Sequence, residues 1–151
     1  MSDLFNSVIN AAADRPAFRQ APVGNYLCIV SSVRKVKAGT GTEGLEFQFT
    51  MTENLDGADL DGVDLSKCRL RDTQWVTEKT MPYVIERLGR IAPEAVGMSI
   101  NDAMDILPGS EVVLTVGHQT EDREGKTLKT PWLQVDRYYS KDWFFTNRQA
   151  A

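Results

Sequence analysis

The sequence predicts a mostly β-structured protein with five strands and a few short helices. Segments in which apolar and polar residues alternate mark half-buried strands, whereas apolar residues at helical spacing occur in only three places. The order of these segments is informative too, because three strands precede a helical segment and two follow it. With 151 residues, 42% of them apolar, we expect residues 1–151 to form one domain with its own core.

The N-terminal extension, residues 1–20, carries the first helical pattern, which predicts a short amphipathic helix. Its apolar positions are Leu4, Phe5, Val8, Ile9 and Ala12. Three strands are then predicted at about residues 25–37, 44–53 and 68–77. Apolar spacing predicts a helix from Met81 to Ile91 and a shorter one beginning at Ser99. The last two strands are predicted at about residues 111–119 and 129–139, followed by an aromatic extension at residues 140–151.

Three strands, a helical segment and two strands form the order of the OB-fold, a five-stranded barrel. We therefore predict an all-β fold with minor helices, arranged as an OB-fold-like barrel with a helical segment between strands three and four. In OB-folds the loops between strands one and two and between strands four and five border the ligand groove. Here those loops are the glycine-rich residues 39–44 and the turn around Gly125.

Residues 39–44, GTGTEG, match the G-x-G-x-x-G pattern of dinucleotide-binding loops, but their context excludes that use. The pattern holds a pyrophosphate where a helix follows the glycines and offers its N-terminus. Residues 45–51 instead alternate apolar and polar, which is typical of a strand. We interpret the stretch as a hairpin tip and predict no cofactor.

The distribution of charge allows a nucleic-acid partner despite the net charge of −4. Residues 53–64 hold five acids and no base, which leaves 16 of the 21 acids against all 17 bases elsewhere. Bases concentrate beside the glycine-rich turn and on the third strand. They are Arg34, Lys35, Lys37, Lys67, Arg69 and Arg71.

Alternation along the strands separates a core face from an outer face. The second strand turns its apolar residues, from Leu45 to Met51, toward the core, and the third strand does the same with Leu70. The outer side of the third strand then carries two arginines and Trp75. On the fifth strand the same reasoning places Leu133 inward and sets two aromatic residues, Trp132 and Tyr138, on the outer side.

Cations beside exposed rings suit a single strand of nucleic acid, because phosphates require charge and bases stack on aromatic planes. The alternatives are a solvated strand with a half-covered Trp75, and a subunit contact through Trp132, since tryptophan is enriched at interfaces. The residues predicted to bind nucleic acid are Arg34, Lys35, Lys37, Arg69, Arg71, Trp75, Lys126, Lys129, Trp132 and Tyr138.

No pattern in the chain is typical of an enzyme or a metal site. His118 and Cys28 could pair as base and nucleophile, but both lie in apolar strands and no orienting acid is suggested. The D-x-D-G stretch at residues 59–62 lacks the remaining ligands of a calcium loop. We predict no catalytic residue, no metal and no enzymatic activity. Two cysteines and the lack of an 18-residue apolar run predict a cytoplasmic protein without a membrane partner.

Two stretches resemble small phage-encoded single-stranded-DNA-binding proteins. PVGNYLCIVSSVRKVKAGTGTEGLEFQFTMTENLDG is similar to their opening strands and lysine-bearing loop, and ILPGSEVVLTVGHQTEDREGKTLKTPWLQVDRYY to their C-terminal hairpin with its Gly-Lys turn. The resemblance covers residues 22–139. It implies an OB-fold that coats single-stranded DNA, or RNA, during phage replication or recombination in the cytoplasm of the infected bacterium, without cofactor or catalysis.

The C-terminus departs from that family, many of whose members end in an acidic tail that recruits partners. This chain ends in YYSKDWFFTNRQAA, and three consecutive aromatic residues, Trp143 to Phe145, are costly to leave in water. We expect them to pack on the body or on a second copy, which favours a homo-oligomer. Phage or host replication and recombination proteins are the other expected partners. The alternative function is a protein-interaction or assembly module that uses the same barrel and aromatic face.

Overall fold

The computed structural model describes the backbone of residues 19–150 and the side chains of residues 19–147. The predicted N-terminal helix lies outside the described residues. The strands are β1 (Gly24–Lys37), β2 (Glu43–Asn54), β3 (Leu70–Trp75), β4 (Glu111–Glu121) and β5 (Thr127–Tyr139). The α-helices are α1 (Met81–Ile91), α2 (Ile100–Ile106) and α3 (Lys141–Ala150), and single 3₁₀ turns lie at Leu65–Lys67 and Pro93–Ala95.

The five strands form one antiparallel sheet in the order β3-β2-β1-β4-β5. The prediction of a β-rich fold with minor helices is therefore confirmed, as are the five strands and the two helices between β3 and β4. β3 is shorter than predicted at both ends, and α3 was predicted only as an aromatic extension. Within residues 19–150 no helix combines the length and apolar character that crossing a membrane demands.

β1 is the strand around which the others are arranged. It pairs with β2 along almost its whole length, but with β4 only as far as Ile29. Beyond that point Ser31 forms a bulge against β2, and bulges bend and twist the strand that carries them. The β1–β2 hairpin therefore continues past the edge of β4 and ends in the turn at residues 38–42, where Ala38 N–H donates to Thr42 O at 2.8 Å.

Side chains of the two outermost strands meet and close one side of the core. Gln74 Nε2 donates to the hydroxyl oxygen of Tyr138 at 3.1 Å, and that hydroxyl donates to the carboxylate of Asp72. We call this line of contact between β3 and β5 the seam. Beside it, α1 buries Val84 and Leu88 against the core, which includes the inward residues of every strand.

Candidate nucleic-acid interface

Arg71 stands on the outer face of β3 and Arg69 directly precedes that strand, and both alternate with buried residues as predicted. Leu70 and Gln74 are 1% and 3% exposed, whereas Arg69 and Arg71 are exposed. Arg71 lies opposite Gln48 of β2, so this face continues onto the second strand. Among the described residues neither arginine takes part in an ion pair. Their charges are therefore available to an anionic ligand.

The arginines line a cavity of about 630 Å³ at the start of the seam, which we call the seam groove. Lys67 adds a third cation to the same wall, although its Nζ lies 4.0 Å from the Asp64 carboxylate, a weak exposed pair. Trp132 of β5, 49% exposed, stands among the lining residues. The full lining is Gln20, Lys67, Arg69, Arg71, Gln119, Thr130, Pro131, Trp132 and Leu133. The fold thus brings the predicted cations of β3 and the predicted aromatic residue of β5 into one groove.

An irregularity in β5 places Trp132 at this groove. In the ladder between β4 and β5, Gln119 lies opposite Trp132 and Glu121 lies opposite Thr127. Residues 128–131 of β5 therefore have no regular partner on β4. Pro131 lies in this stretch and has no N–H to give to a ladder. Gln20 fastens the segment before β1 to the same place, because its Nε2 donates to Pro131 O at 2.9 Å.

A second cavity, of about 430 Å³, lies on the other side of the arginines over β2 and β3. Arg69 and Arg71 line both cavities and therefore form a ridge between them. The second cavity is also lined by the hydroxyls of Ser31 and Thr50 and the amide of Gln48. Such neutral groups bind phosphate and sugar oxygens in protein–DNA interfaces without reading sequence.

The outer face of the β1–β2 hairpin, which we call the hairpin face, carries another arginine and another tryptophan. Arg34 is bound to Glu46 directly across the ladder, with Nη2 2.9 Å from Oε1. Trp75, 41% exposed, lies over Gly44, since a Cβ built on that glycine would stand 2.7 Å from the ring. The structure therefore places Arg34 and Trp75 on the outer face, but the charge of Arg34 is already compensated.

Lys35 and Lys37 do not share that face. Lys35 lies opposite Leu45 and Lys37 opposite Glu43, and residues opposed in an antiparallel ladder point to the same side. Leu45 points into the core, so the two exposed lysines belong to the other side of the hairpin. The cluster of three bases seen in the sequence is therefore divided between two faces.

Lys126 and Lys129 lie near the β4–β5 turn without lining the seam groove. Asp122 shapes this turn by accepting from the N–H groups of Glu124 and Lys126 at 2.9 and 3.0 Å. Lys126 Nζ is 4.0 Å from the Glu124 carboxylate, a weak exposed pair. Lys129 is exposed and adjoins Thr130 of the groove lining. Both lysines are thus at the rim.

The prediction that Tyr138 binds nucleic acid is wrong, because its side chain is buried at 4% exposure and cannot offer its ring to a base. Thr115 of β4 pairs with Arg137 of β5, and the next residue of β4, Val116, pairs with Val135. Asp136 is therefore an extra residue on β5, a bulge without a partner on β4. This bulge reverses the alternation, and Tyr138 points into the core although Trp132 points outward. Alternation with a period of two does not hold across a bulge, so counting along β5 alone puts Tyr138 on the wrong face.

The buried hydroxyl of Tyr138 joins a polar cluster with Asp72 and Gln74. Burial raises the pKa of the Asp72 carboxyl, and the hydrogen bond from Tyr138 opposes this only in part. Burial also raises the pKa of Tyr138, which keeps its proton for donation. Gln74 Oε1 has no partner among the described residues. The cluster is a structural link across the seam.

The sequence candidates for catalysis and metal binding are separated in the structure. Cys28 pairs with Val112, and His118 lies six residues further along β4, on the order of 20 Å away. His118 Nε2 is 2.7 Å from Ala21 O, and burial raises the pKa of the Cys28 thiol to about 12. Within the described residues no group of three or more His, Cys, Asp or Glu side chains is placed to hold a metal ion.

The acidic loop after β2 is fastened to the body. Asp56 accepts from Asn25 N–H at 2.7 Å, Leu55 is buried, and the Arg19 guanidinium donates to the carbonyl oxygens of Asp59 and Asp61. Carbonyl oxygens that are already used by an arginine are poor candidates for cation ligands. The loop is therefore part of the fold and not a separate acidic lobe.

Sequence reasoning left several groove residues out of the candidate set. Lys67 ends the 3₁₀ turn before β3, where the alternation of a strand does not decide the side on which a residue lies. Gln20 and Gln119 come from distant parts of the chain, and nothing local marks them. No protein-family model matches the sequence, and a search of curated proteins finds no match either.

Proposed function

We propose that this chain is a sequence-tolerant single-stranded-DNA-binding protein acting in phage DNA replication or recombination, without cofactor or catalysis. The observation that carries the proposal is the seam groove, where three cations on one wall accompany the exposed ring of Trp132. Single-strand binders combine a positive groove for the backbone with aromatic side chains on which bases stack.

The proposal includes an OB-fold barrel. The strand order β3-β2-β1-β4-β5, the helices between β3 and β4, and the side-chain contacts between β3 and β5 all fit that architecture. The ridge of Arg69 and Arg71 borders the face of β2 and β3, which is the binding face of OB-folds. The resemblance to phage single-strand binders supports the biological role, the cytoplasmic location, the homo-oligomer and the replication partners.

The proposed tolerance toward nucleic-acid sequence is based on the hydrogen-bond donors that the seam groove still offers. Gln20 Nε2 is bound to Pro131 O, and Gln119 Nε2 donates to Glu121 O at 2.8 Å. Their amide donors are therefore partly used by the protein's own backbone. The groups that remain are cationic side chains and an aromatic plane, which contact phosphates and any base.

The alternative is a protein-interaction or assembly module. It is favoured by exposed apolar side chains on the helical segment between β3 and β4. These are Tyr83, Ile85, Val96, Met98 and Ile106. Such a module binds through apolar burial, which salt does not weaken in the way it weakens phosphate contacts.

The test is an anisotropy titration of the full chain with a labelled oligothymidine at several salt concentrations. Binding should weaken with salt, with a log–log slope of about −0.7 for each phosphate contacted and so about −2 for three cations. A duplex of equal length should compete poorly, because its bases are not free to stack. Binding that ignores salt, or no binding at low salt, would reject the proposal and favour the interaction module.

A further inference from the structure

Beyond the seam groove, two further cavities lie along β5 in the direction of the C-terminal helix α3. Arg71 lines the seam groove, and the next residue, Asp72, lines a cavity of about 270 Å³ between α1 and β5. That cavity shares Tyr139 with a further cavity of about 290 Å³, which Trp143 also lines. The cavities therefore succeed one another along β5 from Trp132 to Tyr139 and onto α3.

Two arginines line this cavity of about 270 Å³, and each has an acid close enough to act on it electrostatically, Asp72 for Arg87 and Asp136 for Arg137. Arg87 lies 6.0 Å from the centre of the Tyr138 ring, and Arg137 donates to the Tyr139 hydroxyl at 3.4 Å. Neither forms an ion pair among the described residues. Arg90 differs, because it is bound to Glu86 and to the carbonyl oxygen of Tyr138.

The acids of the same cavity are already engaged. Asp72 accepts from Tyr138, Glu86 is paired with Arg90, and Asp136 accepts from Gln134 Nε2 at 2.9 Å. These hydrogen bonds occupy carboxylate oxygens without removing their charge, so the cavity as a whole is about neutral. What it offers a phosphate is N–H donors, because Arg137 uses one of its five on the Tyr139 hydroxyl. A chain of phosphates leaving the seam groove would find arginine side chains ahead of it.

The far end of the series offers an aromatic plane. Trp143 stacks on Tyr139 with 5.2 Å between ring centres and 6° between planes, yet it remains 52% exposed. Ser140 holds the start of α3 by accepting from Trp143 N–H at 3.1 Å. The ring is thus fixed in orientation with one side unused by Tyr139, which is the arrangement that a stacked base requires.

We propose that the binding track runs along the seam from the seam groove past Arg87 and Arg137, and ends with a base stacked on Trp143. This inference rests on the proposed function and adds a second stacking position and a direction to it. Tyr139 lies seven positions after Trp132 along β5, a distance on the order of 23 Å. At the spacing of stacked nucleotides this distance corresponds to about seven of them. A short oligonucleotide therefore fills the groove alone, and a longer one reaches Trp143.

The experiment compares oligothymidines of about five and about twenty nucleotides on wild type and on Trp143→Leu, which keeps an apolar contact with Tyr139 but removes the plane. We expect affinity for the long strand to fall about tenfold and affinity for the short strand to stay unchanged. Arg137→Gln, which leaves α3 intact, should lower the salt slope for the long strand by about 0.7. Lys79→Gln is the charge control, since that exposed lysine lines none of these cavities.

The other outcomes reject the track in distinguishable ways. If wild type binds both strands and Trp143→Leu and Arg137→Gln leave both affinities unchanged, the proposed function stands and the track is wrong. If Trp143→Leu lowers both affinities equally and halves the mass measured by light scattering, Trp143 is a contact between copies. If wild type binds neither strand, the proposed function itself has failed.

Discussion

The hairpin face and the seam groove contain the same kinds of residue, arginine and tryptophan, yet they differ in what the arginines can still bind. On the hairpin face Arg34 is held 2.9 Å from Glu46, and the Glu46 side chain is only 14% exposed. In the seam groove Arg69 and Arg71 have no acidic partner among the described residues. A phosphate must therefore displace a carboxylate at the first region and only counterions at the second.

The two tryptophans differ in the same sense. Trp75 covers the backbone at Gly44, where even a Cβ would collide with its ring. Trp132 instead borders a cavity of about 630 Å³. The comparison teaches that residues of the same type and similar exposure can differ in what they still offer a ligand. The charge must lack an internal partner, and the ring must border empty space.

The largest effect is expected from the double substitution Arg69→Gln and Arg71→Gln. Affinity for oligothymidine should fall on the order of a hundredfold at low salt, since each charge-assisted hydrogen bond contributes about 1.5 kcal/mol or more. The salt slope should fall by about 1.4. Arg34→Gln is the matched control and should change affinity much less. Equal losses in the two variants, measured by anisotropy, would remove the distinction between the regions.

Trp132→Ala is expected to cost about 1–3 kcal/mol of binding free energy, the usual value of one stacked base. Trp75→Ala should cost less, because the ring of Trp75 is partly occupied in covering Gly44. Circular dichroism of both variants checks the fold. A larger binding loss in Trp75→Ala would show that the hairpin face is the principal platform.

Tyr138→Phe should lower the free energy of unfolding by about 1–3 kcal/mol, because it removes the hydroxyl that Gln74 Nε2 and the buried Asp72 carboxylate both bind. Oligonucleotide affinity should stay unchanged, since the ring lies in the core. Urea denaturation measures the first effect and anisotropy the second. A binding loss without a stability loss would restore Tyr138 to the site.

The smallest effect is expected from Glu46→Gln, which converts the hairpin face into a region with a free arginine. Arg34, whose side chain is 65% exposed, then becomes available to phosphate, and the binding free energy should improve by about 1 kcal/mol or less, as is usual for a charge contact screened by solvent. The salt slope should steepen by about 0.7. Glu78→Gln removes an exposed acid that forms no ion pair with a described residue, and isolates the effect of net charge alone. A rise of equal size in both variants would mean that the pairing is irrelevant.

Local patterns determined the elements and most of the faces. Period-two alternation placed Leu45, Phe47 and Phe49 in the core, and all three are buried at 4% exposure or less. The strand after GTGTEG was sufficient to exclude a dinucleotide loop, because β2 begins within that stretch. The spacing at Ser99 predicted a capped helix, and Ser99 Oγ accepts from Asp102 N–H at 3.1 Å.

Only the tertiary structure decided which of these residues act together. The bulge at Asp136 reverses the face of Tyr138, and a bulge is set by the register against β4 and leaves no mark in the spacing of β5 itself. The ion pair of Arg34 with Glu46 depends on the same kind of register between β1 and β2. The seam groove joins segments more than a hundred positions apart, from Gln20 to Trp132. Alternation is a property of one strand, whereas register, pairing of charges and cavities belong to contacts between strands. The sequence by itself therefore determined the strands and which cations and aromatic rings they carry, and the packing of β3 against β5 decided which of them meet.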